Sequence, residues 1–372
     1  MPIFRGKLTK SPARKDRPTE PLATPGSMLD HICLQQMHCS GTLRRSRLGR
    51  QQEPAMFPFR IEPLTPSGEA IQIHGLERAH LTDAAVREEL NRLWIRHGLV
   101  VFRGMDDSDE LHIELSRVFG PFQLHPIKQG NTDPSRLEIT NVQYEPGGEN
   151  GNVYTVNGVD LGGWLPLHFD LVYFDKVNHG GLLRPRVIPP EMGGTVFLDK
   201  IAAYETLPDE LKRRAEGLEV VYDFYMDIST MKNSVDDIRL VRMGKKFRDI
   251  QQREDSYPRS IHPLVYAQKE SGRKMLNLSP WFADELLGLD KAEGDALLGE
   301  LVRHTLSHPQ IHVHRWTPGD IVLWDNWRML HGAEGLPPES GSRWLQRTTL
   351  AGDYALGRLE GAENSALELV DV

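Results

Sequence analysis

Trp164-Leu165-Pro166-Leu167-His168-Phe169-Asp170 is the segment from which the rest of the chain can be read. Side chains alternate between faces in an extended strand, so His168 and Asp170 point the same way and can reach one ion. A third ligand is needed, and the stretch Ile321-Val322-Leu323-Trp324-Asp325-Asn326-Trp327-Arg328-Met329-Leu330-His331-Gly332 offers His331. Two imidazoles and one carboxylate on one face of an octahedron leave three positions open, which suits Fe(II) that must bind a co-substrate and O2. The His-x-Asp pair alone is common, and on that pair alone a satisfied core histidine at 168 is the weightier reading.

The sequence after His331 changes the balance. Arg343, Leu345 and Arg347 share one strand face, which aims two guanidinium groups where a structural strand would place apolar residues. An inward Arg needs an anion, because an unpaired buried charge is costly. Guanidinium binds carboxylate bidentately, so one such Arg suits the far carboxylate of a dicarboxylate that chelates the metal.

Further out, short β-type runs alternate with a few helices. A helix capped by Thr82 carries Val86, Leu90, Leu93 and Trp94 at helical spacing and stops at Gly98; strand Leu99 to Phe102 follows. A second helix is expected from about Ser108 to Phe119, a short one after Pro208 with Leu211 and Ala215 on one face, and a fourth from about Lys291 to Leu306. Strands are expected at Val196–Leu198, Leu218–Tyr222, Ile311–Trp316, Ile321–Trp324 and Trp344–Leu350. Many short strands with Pro/Gly turns predict a mostly β fold with flanking helices, a sandwich or jelly roll.

The 372 residues carry a net charge of -8, which argues against a general nucleic-acid binder. No apolar stretch approaches the roughly 20 residues needed to cross a bilayer, and the mean hydropathy is -0.44. Two cysteines, Cys33 and Cys39, exclude a disulfide framework and a Cys-rich metal site, whereas 15 histidines leave ample imidazole. Residues 1–55 hold ten Lys and Arg against four acids, a balance of +6 that leaves -14 on the remainder. That segment reads as a disordered basic extension without a secretory core. Asp16, Glu20 and nearby prolines argue against a transit peptide, and a start codon called too early is the favoured explanation, since Met56 opens onto structured sequence. The expected organisation is thus 1–55 extension, 56–359 catalytic domain and 360–372 acidic solvated tail, in a cytoplasmic protein.

The ordered blocks Gly98-Leu99-Val100-Val101-Phe102-Arg103-Gly104, Phe119-Gly120-Pro121, Gly193-Gly194-Thr195-Val196-Phe197-Leu198-Asp199, Ala202-Ala203-Tyr204-Glu205-Thr206-Leu207-Pro208, His262-Pro263-Leu264, Pro318-Gly319-Asp320, Trp324-Asp325-Asn326, His331 and Arg343 to Asp353 carry a resemblance. Over roughly Ile61 to Arg358 the chain resembles the taurine dioxygenase / 2,4-dichlorophenoxyacetate dioxygenase family, Fe(II)- and 2-oxoglutarate-dependent enzymes on a double-stranded β-helix. The resemblance implies that His168, Asp170 and His331 bind the iron, and that Thr195 and Arg343 hold the far carboxylate of 2-oxoglutarate. It implies that Arg347 and His125 meet the substrate's acidic group, with Lys128 adding positive charge from the same loop. Trp324 matches an aromatic beside the metal site and is read as core. The implied reaction consumes O2, converts 2-oxoglutarate to succinate and CO2, and oxidises a substrate C–H bond by hydroxylation, desaturation or fragment release. Halogenating relatives carry Ala or Gly at the position of Asp170, so halogenation is not expected.

Three positions depart from the family. Met192-Gly193-Gly194-Thr195 lacks the usual acidic residue before Thr, so the register of Thr195 rests on counting back from Ala202-Ala203-Tyr204. Trp164 stands where taurine-type members have a polar substrate contact, and Leu167 where Trp is common, which points away from taurine. The expected substrate is a small organic carboxylate or sulfonate docked on Arg347, its apolar part against Trp164, Leu167 and Phe169. The structural alternative pairs Arg347 with Asp199 or Asp353. His312 and His314 are read as structural or exposed, lacking a carboxylate partner nearby in sequence, and His304 with His308 as a solvated pair. Two rival functions are a hydrolase or isomerase using the same metal as a Lewis acid, and a non-catalytic binding module. No nucleic-acid or membrane partner is expected, and the chain is compatible with a homo-oligomer.

Overall fold

The computed structural model describes residues 57–124, 132–133, 135–353, 356–361, 363 and 369–370. Six strands frame its centre: β1 (Leu165–His168), β2 (Gly180–Val187), β3 (Thr195–Asp199), β4 (Ile321–Asp325), β5 (Met329–Ala333) and β6 (Arg343–Leu350). In the larger sheet β2 lies between β4 and β6, and β4 also pairs with Leu99–Arg103. In the smaller sheet the order is His312–His314, β3, β5, β1. The chain crosses from one sheet to the other at Asn326-Trp327-Arg328, between β4 and β5. This is the jelly-roll arrangement expected from the sequence.

The alternation within β4 explains how the layers form. Val322 and Trp324 enter the core between the sheets with Leu345, Phe197 and Met329. Ile321 and Leu323 face the other way and pack with Leu90, Leu93, Trp94, Leu111 and Leu115 from the helices Ala84–His97 and Asp109–Phe119. The run Ile321–Trp324, apolar at every position, is therefore buried on both faces. The smaller sheet is covered by the helix Lys291–Leu306, whose Leu297, Leu298, Leu301, Val302 and Leu306 join Val196, Leu198 and Leu330. Burying each such side chain contributes about 1.5–3 kcal/mol.

Several local expectations are corrected. The first long helix is capped by Asp83, whose carboxylate accepts from the Ala85 N–H at 2.8 Å, not by Thr82. Thr82 closes a preceding 3-10 turn, and its hydroxyl donates back to the Ala79 carbonyl. Gly98 ends the helix as expected, at φ 69° with its N–H on the Trp94 carbonyl. His314 is buried and faces Asp320 at 3.2 Å, so a carboxylate six residues on does serve it. His304 and His308 are not a solvated pair: both meet the Thr206 hydroxyl, and His308 is buried. Of the C-terminal acidic run only residues 360, 361, 363, 369 and 370 are described: Glu360 pairs with Arg259, and Leu369–Val370 pairs with Phe122–Gln123. Residues 1–55, His125 and Lys128 lie outside the described residues. Among the described residues no helix is long and apolar enough to cross a membrane.

Candidate active site

The register of β5 on β1 sets His331 directly opposite His168. Asp170 follows β1 by two residues, and its Oδ1 stands 3.7 Å from the Nε2 of both histidines. One ligand atom from each residue lies within 4.8 Å of the others, a set that could hold one metal ion. Tautomer and charge fit that use. His168 donates from Nδ1 to the Pro166 carbonyl at 2.9 Å, which leaves the Nε2 lone pair facing the other two residues. Burial, reinforced by His168, pushes the His331 imidazole down to about 3, so it is neutral at ordinary pH. Burial pushes the Asp170 carboxyl up, but Arg347, His331 and His168 outweigh it and hold the group ionised, well below its usual range.

The backbone of Asp170 is itself held. Asn326 Oδ1 accepts from the Asp170 N–H at 2.8 Å, and Asn326 Nδ2 donates to the Asp170 and Asn178 carbonyls at 3.1 Å. Asn326 lies on the crossing between the two sheets, so the fold's own hinge positions the carboxylate. Ring contacts steady the imidazoles: Trp281 stands edge-on to His168 at 5.2 Å and Trp324 lies 5.1 Å from His331.

On β6, Arg343 and Arg347 share a face as the alternation requires. Arg343 is buried; its Nε donates to the Gly193 carbonyl at 2.7 Å and its Nη2 to Thr195 Oγ1 at 3.1 Å. Trp316 Nε1 also donates to Thr195 Oγ1, at 3.2 Å, so that hydroxyl can give its own proton to an incoming oxygen. Burial pushes Arg343 down to about 10, against the raising effect of Glu334, and it remains a cation. Among the described residues no carboxylate forms an ion pair with it, which leaves a buried charge for an anionic ligand to neutralise. The missing acidic residue of the Met192–Thr195 turn is replaced from β5's end: Glu334 accepts from the Gly194 N–H at 2.9 Å and is clamped by Arg315.

Arg347 takes neither partner named for it above. Asp199 is occupied by Arg328 at 2.6 Å and Asp353 by Lys269 at 3.0 Å. Arg347 Nη1 instead donates to Asp170 Oδ2 at 2.9 Å. His168, Asp170, His331, Thr195, Arg343 and Arg347 all open onto one cavity of about 580 Å³, with Trp164 at its wall. Leu167 and Phe169 are not part of that wall. They alternate with His168 and Asp170, so they point into the core, and the Phe169 ring lies 3.8 Å beneath the Lys200 ammonium. Their place is taken by Tyr173, Phe224, Trp281 and Phe282, which sequence reading did not single out, and by Lys246.

Residues 60–349 match the family described as taurine catabolism dioxygenase TauD, TfdA family. The (S)-phenoxypropionate/alpha-ketoglutarate-dioxygenase of Sphingobium herbicidovorans is 30% identical over 298 residues, 80% of this chain and 96% of that protein. The alpha-ketoglutarate-dependent 2,4-dichlorophenoxyacetate dioxygenase of Cupriavidus pinatubonensis is 30% identical over 301 residues, 76% and 96% of the two chains. An alpha-ketoglutarate-dependent sulfate ester dioxygenase of Pseudomonas putida is 27% identical over 292 residues, 77% and 87%. The fold is shared with a taurine dioxygenase from Burkholderia xenovorans, at a TM-score of 0.59, 24% identity and coverage of 80% and 92%.

Proposed function

The chain belongs to the TauD, TfdA family and is an alpha-ketoglutarate-dependent dioxygenase, and from that premise we propose that it uses Fe(II) and O2 to oxidise a C–H bond of a small organic anion. The balanced reaction is R–H, O2 and 2-oxoglutarate giving R–OH, succinate and CO2. The observation that carries the reading is the shared cavity: a two-histidine, one-carboxylate set and a buried guanidinium that forms no ion pair among the described residues face the same space. A ligand set of that composition suits Fe(II) with open positions, and a guanidinium suits the far carboxylate of a chelating keto acid.

His168, Asp170 and His331 would hold the iron. When bound, it supplies the redox chemistry that couples decarboxylation of 2-oxoglutarate to C–H oxidation. The protein's own work is placement. Pro166 and Asn326 fix the donor atoms of His168 and Asp170. Arg343 and Thr195 receive the co-substrate's far carboxylate, with Gly193 holding the guanidinium in plane. The buried rings of Trp164, Trp281 and Phe282 give the cavity an apolar wall. Relatives named for phenoxypropionate, 2,4-dichlorophenoxyacetate and sulfate esters support an anionic substrate with an apolar body.

The test is oxygen uptake and succinate formation by purified protein with Fe(II) and 2-oxoglutarate, across aryloxyalkanoates, sulfonates and alkyl sulfates. Succinate stoichiometric with O2 and stimulated by one of these classes supports the reading. Substrate conversion without O2 consumption would replace it with Lewis-acid chemistry.

A further inference from the structure

The short helix Lys245–Gln251 borders the active-site cavity through Lys245, Lys246, Phe247, Asp249 and Ile250. Its basic residues differ in what they touch. Lys245 bonds Asp249 at 2.7 Å, and the Arg248 guanidinium donates to the Met243 carbonyl. Lys246 has no hydrogen-bond or ion-pair partner among the described residues. The carboxylates that line the same cavity are otherwise placed: Asp170 serves Arg347, Asp249 serves Lys245, and the exposed Glu149 acts on Lys245. Burial, with Arg347 adding to it, pushes the Lys246 ammonium down to about 8, so it is still largely charged at neutral pH. A half-buried cation without a counter-ion is costly, and an anionic ligand removes that cost.

The apolar half of the cavity is a chain of rings. Trp281 stands 5.2 Å from His168 and stacks on Phe282 at 4.3 Å; Phe282 meets Tyr173 at 5.0 Å, and Tyr173 meets Phe224 at 4.5 Å. These rings offer an aryl or alkyl body a path that begins beside the metal ligands.

We propose that Lys246 receives the substrate's anionic group, and that the substrate is an amphipathic anion whose apolar body lies along Trp281, Phe282, Tyr173 and Phe224. The assignment deepens the function proposed above and rests on it for the allotment of Arg343 to 2-oxoglutarate. With Arg343 so used and Arg347 Nη1 on Asp170, Lys246 is the basic side chain of the described wall that has neither a hydrogen-bond nor an ion-pair partner. Carboxylate, sulfonate and sulfate share the chemistry that an ammonium recognises, and the choice of probe separates them.

The experiment is titration calorimetry on the full chain with matched probes: 2,4-dichlorophenoxyacetate and its amide, naphthalene-2-sulfonate and its sulfonamide, hexyl sulfate and hexanol. Each is measured with Mn(II) and 2-oxoglutarate present and again without them. Wild type is expected to bind at least one anion tenfold or more tightly than its neutral partner. Lys246→Met should erase that preference while retaining the neutral partner's affinity, and Lys246→Arg should restore most of it. The proposal is overturned if no anion is preferred by wild type, or if Lys246→Met discriminates as wild type does. Succinate formation by wild type, assayed in parallel, reports on the dioxygenase reading alone, so the two can fail separately.

Discussion

Asp170 divides its two oxygens between different tasks: Oδ2 accepts from Arg347 Nη1 at 2.9 Å, while Oδ1 faces the Nε2 atoms of His168 and His331 at 3.7 Å. The guanidinium thus keeps one carboxylate oxygen turned away from the histidines and the other turned toward them. It also opposes protonation of the group.

Protons and metal compete for Asp170, so removing Arg347 should make the metal easier to displace with acid. In Arg347→Met the pH at which half the bound Mn(II) is released should rise relative to wild type. Equilibrium dialysis across pH 4–8 reads it directly. An unchanged or lower midpoint would mean that Arg347 does not set the state of the ligand.

Asn326 makes two hydrogen bonds to the backbone of Asp170, and Asn326→Ala removes both. Outer partners of this kind typically cost about 10–100-fold in metal affinity when lost. The unpaired Asp170 N–H and carbonyl add a stability loss of about 1–3 kcal/mol. Metal titration and urea unfolding of the variant check the two effects; full metal affinity in a destabilised variant would reduce Asn326 to a structural role.

Arg343→Ala should raise the apparent KM for 2-oxoglutarate by one to two orders of magnitude, since charge-assisted hydrogen bonds contribute about 1.5–3 kcal/mol each. Arg343→Lys should recover little, because an ammonium cannot reproduce the planar fork held by Gly193 and Thr195. Thr195→Val should give a smaller rise in the same direction. Steady-state kinetics at saturating substrate measures all three.

Burial pushes the imidazoles of His112 and His331 down to about 3, and those of His179, His262 and His312 to about 4. Their ordinary value is about 6.5, so between roughly pH 4 and 6.5 the unfolded chain binds protons that the folded chain does not. Stability should therefore fall as pH drops through that window, by on the order of 1 kcal/mol per pH unit for each imidazole. Asp325, which burial pushes up to about 7, opposes them, as do Asp223 and Glu254, whose carboxyls burial also pushes up. The urea midpoint at pH 5 should lie clearly below that at pH 7.5, and an equal midpoint would contradict the neutral burial of these histidines.

The parts of the site legible in the sequence are those set by strand alternation and short spacing. His168 and Asp170 are two apart, Arg343 and Arg347 four apart, and each pair shares a face in the structure. The same alternation, applied to Leu167 and Phe169, sends both into the core, which the expectation of an apolar substrate contact there overlooked. Asn326 stood within a recognisable Trp-Asp-Asn triplet, but its bond to Asp170 spans 156 residues of sequence, and nothing local announces it. Lys246 lies on a seven-residue helix amid ordinary surface charge; Lys245 borders the same cavity, and only the contact of Lys245 with Asp249 distinguishes the two. Glu334 in place of an acidic turn residue is likewise a contact across strands, with Gly194, that spacing cannot foretell.

The central claim is that His168, Asp170 and His331 bind one metal on which 2-oxoglutarate chelates, anchored by Arg343. Anaerobic titration of the full chain with Fe(II) in the presence of 2-oxoglutarate tests it most directly. One equivalent of Fe(II) should develop a weak visible charge-transfer band in wild type. In His331→Ala the band should be absent, and in Arg343→Ala it should require a far higher 2-oxoglutarate concentration. A wild-type protein without the band, or a His331→Ala variant that keeps it at the same Fe(II) stoichiometry, would contradict the account.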